Sequence, residues 1–129
     1  HPKFQEVTLK LVDPEHPIVK SFAGQPLVHM DEPYIFNMAY DDFNFHPLLE
    51  LDVSKMNPKF AKKMSAEEIQ SKKRYVSWIK KHGEGRVFYS SPSHDSRSFE
   101  NPAVLQFLLN GIQYAAGDLV CDDSPLEPK

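Results

Sequence analysis

The sequence predicts a mixed α/β fold built from short strands and one long helix, and three stretches carry that prediction. Over residues 4–12, Val7, Leu9 and Leu11 alternate with Glu6, Thr8 and Lys10, the two-residue period of a half-buried strand. Residues 75–80 and 86–90 are β-rich runs separated by Lys81, His82, Gly83, Glu84 and Gly85, whose glycines suit an antiparallel hairpin. Asn101-Pro102 reads as an N-cap with proline at the first helical position. Val104, Leu105, Leu108, Leu109 and Ile112 then recur at helical spacing until Gly117 supplies the stop.

The remaining elements fall between these. Asp13-Pro14 ends the first strand, and His16-Pro17 opens an apolar cluster of Ile18, Val19 and Phe22 closed by Gly24, long enough for one or two helical turns. Residues 28–36 form an edge strand or extended loop, because Pro33 removes a backbone donor from the run. Residues 48–53 follow His46-Pro47 and read as a strand, with Glu50 and Asp52 marking a wet face. Ser65 and Glu68 make a capping-box pattern, which predicts a short helix over 66–73. On the long helix, Leu105, Leu108 and Ile112 should face the sheet, and Gln106 and Asn110 should be more exposed. Residues 118–129 read as an exposed acidic tail containing proline.

The chain has 129 residues, 40% of them apolar, which describes one ordinary domain. No stretch approaches the ~20 apolar residues of a membrane helix, and no signal-peptide pattern is present. The lone Cys121 excludes an internal disulfide and any Cys-based zinc site. Net charge is −3, unevenly spread: residues 1–54 hold 3 basic and 9 acidic side chains, 55–81 hold 9 and 2, and 82–129 hold 3 and 7. The basic middle reads as a solvated lysine-rich segment. Its few arginines and the acidic remainder argue against a nucleic-acid surface.

Two clusters could carry chemistry. Ser90, Ser91, Pro92, Ser93, His94 and Asp95 directly follow a β-run, where loop residues bind ligands in open α/β sheets. The competing reading makes His94-Asp95 a turn device. Asp31, Glu32 and Tyr34, with His29 nearby, could bind a divalent metal or do acid–base work. Adjacent carboxylates on an extended segment point to opposite sides, so one of the two at most faces a given site. The competing reading here is a strand edge blunted by charge. No glycine-rich phosphate loop is present.

Residues 83–91, His94-Asp95, Asn101-Pro102 and the run from Leu109 to Gly117 together resemble the C-terminal signature of the ThuA-like (trehalose utilisation) family. Asp13-Pro14 with His16-Pro17-Ile18, and Asp31-Glu32 with Tyr34, resemble two earlier motifs of that family. The resemblance implies a flavodoxin-like, class I glutamine-amidotransferase-like three-layer sandwich, of which this chain is expected to hold the C-terminal portion. It divides the chain into a ThuA-like domain at 1–117, with a lysine-rich insertion at about 55–73, and the tail at 118–129. That family usually has glycine before the His-Asp pair, where this chain has Ser93. It generally lacks the amidotransferase cysteine, so that activity is not inherited. The resemblance implies a bacterial protein of the cytoplasm or periplasm whose partner is a small sugar, either a hydrolase or isomerase of keto-disaccharides or a non-catalytic carbohydrate-binding module. His94 and Asp95 are the expected catalytic residues, with Asp95 orienting His94. Asp31, Glu32, Tyr34, Ser91 and Ser93 are expected to bind substrate, and His94 with Glu32 is the candidate pair for a divalent ion such as zinc. A truncated sheet would expose an edge and favour homo-oligomers.

Overall fold

A computed structural model describes residues 3–34, 44–61 and 74–126. The helix expected over 66–73 and the end of the extended run at 35–36 lie outside these residues. Five strands, β1 (Gln5–Leu11), β2 (Leu27–Asp31), β3 (His46–Leu51), β4 (Tyr75–His82) and β5 (Gly85–Ser90), form one curled sheet in the order β2-β1-β3-β4-β5. Every neighbouring pair is antiparallel. The alternation read in β1 holds: Val7 and Leu9 are buried, packed with Leu27 and Leu51. β2 is an edge strand, as the proline after it requires.

The hairpin turn is tighter than the spacing suggested. Both strands extend through the connection, His82 pairs with Gly85, and only Gly83 and Glu84 remain in the turn. Gly83 has φ +59°, a conformation glycine adopts without cost. The wet face expected at Glu50 and Asp52 is corrected at Asp52 only, since Glu50 on β3 is half-exposed. Asp52 is buried because its carboxylate caps the short 3-10 helix Val53–Lys55, accepting from Ser54 N at 3.1 Å and Ser54 Oγ at 2.6 Å, and it pairs with Lys10 Nζ at 3.0 Å. A hydrogen-bonded, paired carboxylate can be buried where a bare one cannot. Register shifts beside Pro47 and Leu49 re-aim β3, as bulges do.

A single turn, α1 (Pro58–Ala61), precedes β4, and the long helix α2 (Pro102–Ala116) follows β5. Its ends match the sequence: Asn101 Oδ1 accepts from Ala103 N at 2.9 Å, and Gly117 closes the helix at φ +94°. Its buried face does not match. Val104, Phe107, Gly111 and Tyr114 are buried, whereas Leu105 and Ile112 are 46% and 62% exposed and Leu108 is only half-buried. Two aromatic rings and a glycine outcompete the aliphatic stripe. Phe107 sits between Phe22 and Phe88, at 5.3 and 5.5 Å, and Gly111 lets the helix lie directly on the Phe88 ring. Gln106 is exposed, while Asn110 is half-buried and donates to the Ile18 carbonyl at 3.1 Å.

The tail is anchored over the part described, although Asp118, Val120, Asp122, Ser124 and Pro125 remain exposed as expected. His16 Nε2 and His46 Nδ1 donate to the carbonyls of Asp122 and Ser124, each at 2.9 Å, with the two rings 4.7 Å apart. The Tyr114 hydroxyl donates to Asp123 at 2.9 Å. The result is a mixed α/β arrangement of one antiparallel sheet with one long helix. Among the described residues no second helical layer forms, so the three-layer sandwich is not reproduced by them: α2 is the only helix there long enough to cover a sheet face.

Candidate functional site

β5 is one edge of the sheet and β2 the other, yet the chain after β5 reaches β2 directly. The curl brings the edges close enough for residues 91–95 and the 3-10 helix Ser96–Glu100 to span them. Asp31, at the end of β2 and 2% exposed, anchors the crossing. Its Oδ2 accepts from Ser93 N at 2.8 Å, and its Oδ1 accepts from Asp95 N at 3.2 Å and Glu32 N at 2.9 Å. One buried carboxylate therefore grips the backbone on both sides of His94. Ser93 takes φ +95°, which accounts for glycine suiting this position.

The strand alternation sends Glu32 the opposite way from Asp31, outward to the rim. There Glu32 Oε2 lies 3.4 Å from His94 Nε2, with side chains 30% and 47% exposed, and the Tyr34 ring lies 5.9 Å from the imidazole. The two clusters read from the sequence are thus one place in the fold. Asp95, expected to orient the His94 ring, turns its carboxylate to Arg97 instead. Its carboxylate accepts from Arg97 Nε at 2.7 Å and from Arg97 N at 3.0 Å, capping the following 3-10 helix. The bonds from Arg97 hold its pKa down to about 2. Asp31, likewise, is a structural clamp on the loop more than a rim group.

Between the rim and the sheet lies a shallow pocket of about 220 Å³, counting its open mouth, lined among others by Val7, Leu9, Val76, Tyr34, Ser91 and Pro92. The Ser91 hydroxyl donates to the Val76 carbonyl at 3.1 Å, so it shapes the wall. His29, singled out in the sequence only as a neighbour, lines the floor with Asp31. Its place could have been read from the two-residue period, which puts residues 29 and 31 on one face of β2. Burial pushes its pKa below the ordinary histidine value, more than the nearby Asp31 and Asp95 charges raise it, so the ring is neutral at pH 7.

Among the described residues no three His, Cys, Asp or Glu side chains gather where they could hold a metal ion. His94 and Glu32 together supply one imidazole and one carboxylate donor at the rim. Burial, then Asp123 and Asp122, push the Cys121 thiol pKa up, which makes it a poor nucleophile. Among the described residues no helix is long and apolar enough to cross a membrane.

A family model described as ThuA, trehalose utilisation, matches residues 1–115. The chain belongs to the ThuA family. The match runs from before β1 to the last turn of α2 and so takes in both segments of the site. Membership in the ThuA family connects the chain with trehalose utilisation. No curated protein and no solved structure matches the chain.

Proposed function

We propose that this pocket binds a sugar of the trehalose class and that His94 and Glu32 carry out proton transfer on it, as in a hydrolase or isomerase of disaccharides or their keto forms. The observation that carries this reading is the His94–Glu32 contact at the pocket rim, 3.4 Å long and faced by the Tyr34 ring. A neutral imidazole accepts a proton from a sugar hydroxyl, and the adjacent carboxylate steadies the imidazolium that results. Tyr34 offers an apolar face and a polar tip, which suits a pyranose ring. The site is shallow and open, so a disaccharide would lie across its mouth, against the Tyr34 ring and the rim pair, rather than inside it.

The reading is tested by titrating the protein with trehalose and with a keto-disaccharide, followed by calorimetry and product analysis. His94→Ala and Glu32→Gln should each abolish turnover while shifting stability by less than about 0.5 kcal/mol, as exposed substitutions do. Binding without turnover in the wild type would make the site a non-catalytic carbohydrate module. Unchanged turnover in both variants would remove the site altogether.

A further inference from the structure

The pocket floor holds a histidine that the proton transfer above does not use. His29 Nδ1 lies 3.3 Å from Ser98 Oγ, while its Nε2 is buried without a hydrogen bond. Asp31 Oδ2 stands 3.7 Å from that nitrogen, beyond hydrogen-bond reach. Ser93 Oγ, on the loop that Asp31 anchors, is also buried and unpartnered. Buried polar atoms are normally satisfied, and the orphaned His29 nitrogen beside a carboxylate at the pocket floor marks a place built for something polar. The Asp31 charge favours the tautomer with hydrogen on Nε2, leaving Nδ1 to accept from the Ser98 hydroxyl. The floor then presents a donor and an acceptor 3.7 Å apart.

That spacing discriminates between ligands. An anion would be repelled by Asp31, and an apolar group would leave His29 Nε2 unsatisfied. A hydroxyl satisfies both, accepting from Nε2–H and donating to Oδ2. We infer that His29 and Asp31 together receive one hydroxyl of the bound sugar, which makes His29 a specificity-determining residue at the pocket floor. This assignment rests on the sugar reading given above and adds to it a second imidazole with a different role. His94 moves a proton at the rim, and His29 holds a hydroxyl beneath it.

Nitrogen NMR of the two rings during a trehalose titration tests the assignment. The His29 Nε2 resonance should move together with the His94 resonances and saturate at the same concentration. His29→Phe, which keeps a ring and removes both nitrogens, should weaken trehalose binding at least about tenfold. Among monodeoxy analogues of trehalose, one should bind the wild type poorly, and His29→Phe should not distinguish it from trehalose; lost packing alone would not produce that pattern. Movement of the His94 signals without those of His29, or equal discrimination by wild type and variant, would overturn the assignment. If neither ring responds to trehalose, the sugar reading itself falls and takes this assignment with it. Should His29→Phe not fold, the titration of the wild-type rings decides alone.

Discussion

Ser93 and Asp31 show how much of the site rests on backbone placement. A serine at φ +95° is in a region that costs non-glycine residues about 1–3 kcal/mol. Ser93→Gly should therefore raise the urea midpoint, and Ser93→Val should lower it further than an ordinary loop substitution would. A lower midpoint for the glycine variant would show that the loop is relaxed. Asp31→Asn turns an acceptor into a donor facing the Ser93 and Asp95 amides, and should destabilise the chain by about 1–3 kcal/mol while separating His94 from Glu32. Loss of the His94–Glu32 coupling in an NMR titration would register it. The opposite facing of Asp31 and Glu32 was legible in the sequence because strand alternation is a local rule. The partnership of Asp95 was not, because its neighbour His94 and its near neighbour Arg97 compete for it, and extended backbone at Asp95 decides for Arg97.

The ends of α2 were legible for the same reason that the hairpin was. Asn101, Pro102 and Gly117 act within a turn of themselves, as Gly83 does, whereas the buried face depends on what lies across the contact. Counting aliphatic residues favoured Leu105 and Ile112. The Phe22 and Phe88 rings select Phe107 and the gap at Gly111 instead. Phe107→Ala should cost about 3–5 kcal/mol, and Leu105→Ala less than about 1 kcal/mol, in paired denaturation curves. The reverse ranking would mean that the helix is rotated. Gly111→Ala should destabilise markedly, because the new methyl group meets the Phe88 ring.

Across the whole molecule, the C-terminal segment ties the first loop, β3 and α2 together through His16, His46 and Tyr114. His16 is held neutral chiefly by burial, with the His46 ring adding to the effect, while the bond to the Asp122 carbonyl and the Asp13 and Asp122 charges oppose it. Its Nδ1 accepts from Ile18 N at 3.3 Å, so a second proton has no place on the ring. A folded pKa below the unfolded value of about 6.5 means that the stability this histidine lends is complete above that pH. It is lost progressively as the pH falls toward the folded value. Proteolytic clipping at residues 118–126 should accelerate between pH 7 and 5, and His16→Phe should flatten that dependence; a clipping rate indifferent to pH would refute the histidine latch. The loop that spans the two sheet edges has a kinetic consequence. Ser93 and Asp95 bond to Asp31 across 62 and 64 residues of chain, so the site cannot exist until nearly every strand is in place. Recovery of sugar binding after denaturant dilution should trail the return of helical signal, and a ligand clasped by both segments would act as a staple, slowing unfolding in proportion to how tightly it holds them.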